Sequence, residues 1–121
     1  LSYPDGGLIT SSSDLSKFLI DLMKGYDGNG MLLNKDSYAE FFKSQLEQEN
    51  FEGKKDFNVG LFLDKQLAYN DIGHSGGDPG TNTMMYFDSE KKIGRIFIAN
   101  TDSKKENSGD VFWGIWGVLE K

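Results

Sequence analysis

What most constrains the fold of this chain is a change of hydrophobic period part-way along it. As far as about Gln45 the apolar side chains recur at helical spacing. From Phe57 they come instead in the short runs "FNVGLFLD", "DIGHSG", "TNTMMYFD" and "IGRIFIAN", separated by turn-forming residues. The first period buries one stripe of a helix, whereas the second suits strands whose side chains alternate between two faces. A helical pattern returns after "TDSKKENSGD". Helices, then strands, then a helix predict an α+β fold, with an antiparallel sheet of three or four strands packed between N-terminal and C-terminal helices.

The helix signals are local. Ser11 with Asp14 three residues on resembles a capping box with Asp in place of Glu. Leu15, Phe18, Leu19, Leu22 and Met23 then form one predicted buried stripe, and Gly25 is placed to end the helix in a left-handed cap. Asn34 can cap a second helix running to about Gln45, with Tyr38, Phe41 and Phe42 inward. In the last helix, opened by Ser108 or Asp110, Phe112, Ile115, Trp116 and Leu119 make the apolar line. Of the pair Trp113 and Trp116 at least one belongs in the core, and Met84 and Met85 must point to opposite faces of their strand.

Composition removes several classes of function. The chain has 121 residues, enough for one domain, and 13 basic against 19 acidic residues give a formal charge of −6. That charge opposes nucleic acid and anionic membrane surfaces. With no cysteine and a single histidine, neither a disulfide framework nor a zinc cluster is expected, and no cofactor is implied. In "YDGNG", Asp27 and Asn29 begin like a calcium loop, but Met31, Leu32 and Leu33 stand where further oxygen ligands are needed, so a surface turn is expected.

The stretch "IGHSGGDPGT" holds the only histidine and four of the fifteen glycines. Asp78-Pro79-Gly80 is a turn tripeptide and accounts for Gly80. It leaves Gly76 and Gly77 unexplained, since a strand there prefers β-branched residues. Missing side chains at such a place mean close approach of another backbone or of a ligand. No lysine follows at Walker spacing, and the glycines lead into a strand rather than a helix, so neither nucleotide fingerprint applies. His74 and Ser75 are neighbours on a strand and point to opposite faces, which excludes them as a hydrogen-bonded base and nucleophile.

The residues "YPDGGLITSSSDLSKFL", then "GHSGGDPGTNTMMYFD" and "IGRIFIANTD", resemble the C-terminal part of the serine β-lactamase-related family. That family comprises class C β-lactamases, penicillin-binding DD-peptidases and esterases of the same fold. The resemblance implies that His74-Ser75-Gly76 stands for the motif Lys-Thr-Gly or His-x-Gly on the strand lining the cleft. His74 would be the polar group beside the substrate carboxylate and the proton-transfer network. The backbone N–H of Gly77 would supply one half of the oxyanion hole. Ser75, Gly76 and Asp78 are candidate substrate contacts, although turn formation is sufficient reason for Asp78.

The family's nucleophile opens a Ser-x-x-Lys motif and is assisted by a Tyr-x-Asn element. The expectation is that no serine of this chain opens the first, and that Tyr3-Pro4-Asp5 is loop rather than the second. On this reading the chain is the C-terminal portion of a β-lactamase-like domain, inactive alone. Its partners are a small-molecule or peptide acyl substrate and the missing N-terminal part of the same fold. The resemblance implies export in a bacterium as the setting of the parent protein. The rival reading is a non-catalytic, degenerate module binding a peptide or protein along the glycine-rich strand. Self-association through the face left bare is a third expectation.

Overall fold

A computed structural model describes residues 6–46, 57–66, 69–101 and 108–121. Tyr3-Pro4-Asp5 and the greater part of the two polar loops, "EQENFEGKKD" and "TDSKKENSGD", lie outside these residues. The elements follow as α1 (Ser12–Tyr26), α2 (Lys35–Phe42), β1 (Phe57–Val59), β2 (Asp64–Gln66), β3 (Asp71–Asp78), β4 (Thr81–Asp88), β5 (Ile93–Ala99) and α3 (Ser108–Leu119). The strands form one antiparallel meander in the order β1-β2-β3-β4-β5. The α+β order and the antiparallel sheet are as the sequence predicts. The run "FNVGLFLD" supplies one whole short strand and the start of another, which brings the sheet to five.

Alternation along β4 sets the layers. Met85 and Phe87 face α1 and α2, where they pack with Leu19, Leu22, Tyr38 and Phe42. Met84 and Tyr86 face the other way, against Trp116 of α3 and Phe97. The sheet therefore lies between two helical layers, and both methionines are buried. Phe87 is fully enclosed at 0% exposure, with the rings of Tyr26 and Phe42 edge-on to it at 5.9 and 6.2 Å.

The cap of α1 is as predicted, since the Ser11 hydroxyl accepts from the Asp14 N–H at 3.1 Å. Its end is not. Gly25 lies inside the helix, and the left-handed residue is Gly28, φ +78°. Gly25 answers to packing: a Cβ there would come within 2.6 Å of Tyr38 Cζ. Tyr38 in turn donates its hydroxyl to the Asp21 carboxylate, which also accepts the Met31 N–H at 2.7 Å. These contacts settle "YDGNG" as a turn, with Asp27 ion-paired to Lys92 at 2.7 Å.

α2 stops at Phe42, three residues short of the predicted Gln45. The chain is pulled into the edge of the sheet, where Gln45 N–H donates to Val59 O at 2.8 Å and the Asn58 amide bonds both N–H and C=O of Leu46. Two predicted stripes are narrower than expected. Phe18 is 37% exposed, and in α3 Phe112 and Trp116 are buried while Ile115 and Leu119 are about 40% exposed. Phe112 and Trp116, one helical turn apart, are the side chains α3 lays on the flat sheet, so only a narrow line is covered.

Beneath Trp116, Arg95 and Asp71 form a buried ion pair, the guanidinium lying 5.6 Å from the indole centroid. Asp71 carries a carboxyl pushed above its ordinary range, first by burial and then by the neighbouring Asp88 and Glu120 charges, against the pull of Arg95.

Candidate active site

β3 has two halves. Asp71, Ile72 and Gly73 are paired on both sides, with β2 and with β4. From His74 to Asp78 the strand keeps only β4, and among the described residues no strand covers its other edge. The Thr83 hydroxyl donates to Gly76 O at 3.3 Å, so the Gly76 backbone faces β4. Antiparallel alternation then turns the N–H and C=O of Ser75 and Gly77 outward, to the open edge.

The four glycines of this stretch have four different reasons. Gly80 sits at φ +84° in a turn after Pro79, which only glycine adopts readily. Gly73 lies beneath Tyr86, and a Cβ would come within 2.6 Å of the Tyr86 Cα. At Gly76 a Cβ would meet Thr83 Oγ1 at 3.1 Å, a tight fit against that hydroxyl. At Gly77 a Cβ would meet only Thr81 O at 3.9 Å, and the backbone is not left-handed. Neither dihedral strain nor internal packing demands glycine at position 77. What its absence of side chain does provide is access to an outward N–H.

The candidate side chains divide between the faces of the strand. His74 stands opposite Met85, on the α1 and α2 side, with its ring stacked on Phe62 at 4.5 Å and 7°. Ser75 stands opposite Met84, on the α3 side. The two are not a catalytic pair, in keeping with strand alternation. Ser75, Gly76 and Gly77 line a groove of about 340 Å³ with Asn82, Phe112 and Trp113. The outward Gly77 N–H therefore lies between an imidazole on one face and an uncharged groove on the other. Asp78 ends the strand beside the N-terminal segment, where a Cβ on Gly6 would approach its Oδ2 to 2.6 Å.

One expectation needs correction. Ser89 and Lys92 do have Ser-x-x-Lys spacing. They occupy the β4–β5 turn, at the end of the β3–β4 ladder where Asp71 pairs with Asp88, away from the open edge. Ser89 donates to Asn70 O at 3.0 Å, and Lys92, at φ +59°, reaches Asp27. The motif needs a helical turn to bring the amine to the hydroxyl, and a hairpin does not do so.

Three features of this region had no local signal. Phe62 beside His74 falls in a run that reads as strand. Tyr86 crosses over Gly73 to donate to Asp64 Oδ2 at 3.2 Å. Burial, opposed by Ser75 and reinforced by the Asp64 charge, pushes the Tyr86 phenol up, so it stays protonated as a donor. Trp113, 64% exposed, forms a wall of the groove only because α3 crosses the sheet there.

A family model described as Beta-lactamase matches residues 1–117. No curated protein and no solved structure matches the chain. The match takes in the whole sheet and the open glycine edge, with helices on both faces as the resemblance implies, and the chain belongs to the Beta-lactamase family.

Proposed function

We propose that this chain forms one wall of the active site of a serine hydrolase that cleaves an amide or ester through an acyl-serine intermediate. Gly77 carries the argument: its N–H faces outward from an edge that no described strand pairs, and nothing among the described residues requires glycine there. An N–H so placed can bond the alkoxide that develops when a hydroxyl attacks an acyl carbon. In a site that excludes water one such donor contributes about 3 to 4 kcal/mol to the transition state. His74, three residues before Gly77 on β3 and stacked on Phe62 of the β1–β2 connection, is the polar group beside the substrate and the proton path. Ser75, Gly76 and Asp78 contact the substrate's acyl or leaving portion. The attacking serine comes from the remainder of the fold, because no serine among the described residues is paired with His74.

The test uses the whole protein in which this chain occurs and a chromogenic ester. Gly77→Pro deletes the N–H at an edge where proline is tolerated. It should lower kcat by about 100-fold with the folded circular dichroism signal kept. Undiminished turnover by folded Gly77→Pro refutes the oxyanion assignment. The 121-residue chain alone should not turn over, and ester hydrolysis by it that disappears on Ser75→Ala would refute the incomplete-site reading.

The same open edge supports a second reading, in which a peptide adds to β3 as a further strand without chemistry. Saturable binding of an extended peptide by a whole protein with no hydrolytic activity would select it.

A further inference from the structure

A second cavity, of about 200 Å³, opens between the C-terminal end of α3 and the β2–β3 end of the sheet. Its walls are aromatic: Tyr86 and Trp116 are buried in its floor, with Tyr69 and Trp113 exposed at its sides. Two carboxylates, Asp71 and Glu120, also line it, beside the uncharged Gln66 and Met84, and Asp64 stands behind Tyr86 as the acceptor of its hydroxyl. Against these three acids Arg95 is the one cation ion-paired among the described residues, through Asp71. Glu120 makes no ion pair among the described residues, and its charge reaches Asp71.

Aromatic faces and an excess of negative charge both favour a cation. Among the described residues no grouping of acids and histidine could hold a metal ion, which directs attention to an organic one. The chain already uses this chemistry internally, with the Arg95 guanidinium over the Trp116 ring. We propose that the cavity binds a small organic ammonium ion, with Trp113 and Tyr69 closing on its alkyl groups and Glu120 neutralising its charge. The site adjoins the groove at the glycine edge, sharing Met84 and Trp113 with it, but does not depend on the acyl-transfer reading.

Tetramethylammonium chloride titrated into the whole protein in which this chain occurs is the probe, followed by the indole N–H resonances of Trp113 and Trp116. Sodium chloride at matched ionic strength and tert-butanol, a neutral branched molecule of similar bulk, are the controls. The ammonium salt should shift the resonances saturably and the controls should not. Glu120→Gln and Trp113→Ala should each weaken binding by about fivefold. Both positions are exposed, so the variants keep the fold, and unchanged resonances of the buried Tyr38 ring verify it. A response that is linear in concentration, that either control reproduces, or that survives both substitutions overturns the proposal.

Discussion

Alanine at Gly77 and alanine at Gly73 make chemically identical changes four residues apart on one strand, and they should have opposite effects on stability. At Gly77 the new methyl group meets only Thr81 O at 3.9 Å, an ordinary contact, and the backbone needs no positive φ. The folded state loses nothing, while the unfolded chain loses conformational freedom, so Gly77→Ala should stabilise by about 0.4 to 1 kcal/mol. At Gly73 the methyl group would fall on the Met85 carbonyl and within 2.6 Å of the Tyr86 Cα. Backbone on the paired strand cannot yield as a side-chain tip can, and the cost should be about 3 kcal/mol. With a urea slope of about 2 kcal/mol/M, the first variant should raise the unfolding midpoint by about 0.3 M and the second lower it by about 1.5 M. Equilibrium urea unfolding followed by tryptophan fluorescence reads both. Were Gly77→Ala to destabilise as severely as Gly73→Ala, glycine at 77 would be a folding requirement, and the case for an access role would lose its support.

Tyr38→Phe deletes the hydroxyl shared by the Asp21 carboxylate and the Leu32 N–H and should cost about 2 kcal/mol, measured by the same unfolding assay. Arg95→Met leaves Asp71 buried without its partner and should cost about 3 to 5 kcal/mol, whereas Asp71→Asn with Arg95→Met should recover much of that loss in a double-mutant cycle. Asp88 gives a pH dependence. Its carboxylate accepts the Lys91 and Glu90 N–H groups across the β4–β5 turn, and the Lys91 bond above all holds it below the ordinary value of 3.8. A carboxyl lowered on folding stabilises fully above its unfolded value and loses that contribution as pH falls through the folded one. Thermal melts of the chain should therefore fall off below about pH 4, and Asp88→Asn should flatten that limb.

Much of the fold could be read from local pattern because its causes are local. The capping hydroxyl of Ser11, the turn at Pro79-Gly80 and the alternation of Met84 to Phe87 each depend on residues a few positions apart. Local pattern misleads where a distant partner decides. Gly25 looked like a helix end but is small because Tyr38, thirteen residues on, lies against it. α2 was expected to reach Gln45, and the claim of β1 on Gln45 and Leu46 ended it earlier. The Ser89 and Lys92 spacing lies in a charged turn and is uninformative by itself, since that spacing brings amine to hydroxyl only on a helix.

The candidate site divides the same way. Sequence by itself determined that one imidazole lies beside bare backbone at the end of a strand, because residue order and glycine content need no coordinates. Tertiary structure decided which glycine of the stretch its described neighbours do not require. Gly73 is spoken for by Tyr86 and Gly80 by its dihedral, while Gly77 is the one whose missing side chain no neighbour explains. It also decided that no described strand covers the far edge of β3 beyond Gly73, and that His74 rests on Phe62 while Ser75 faces Trp113. Such facts depend on which surfaces meet in space, and contacts between segments far apart along the chain leave no periodic trace in either of them.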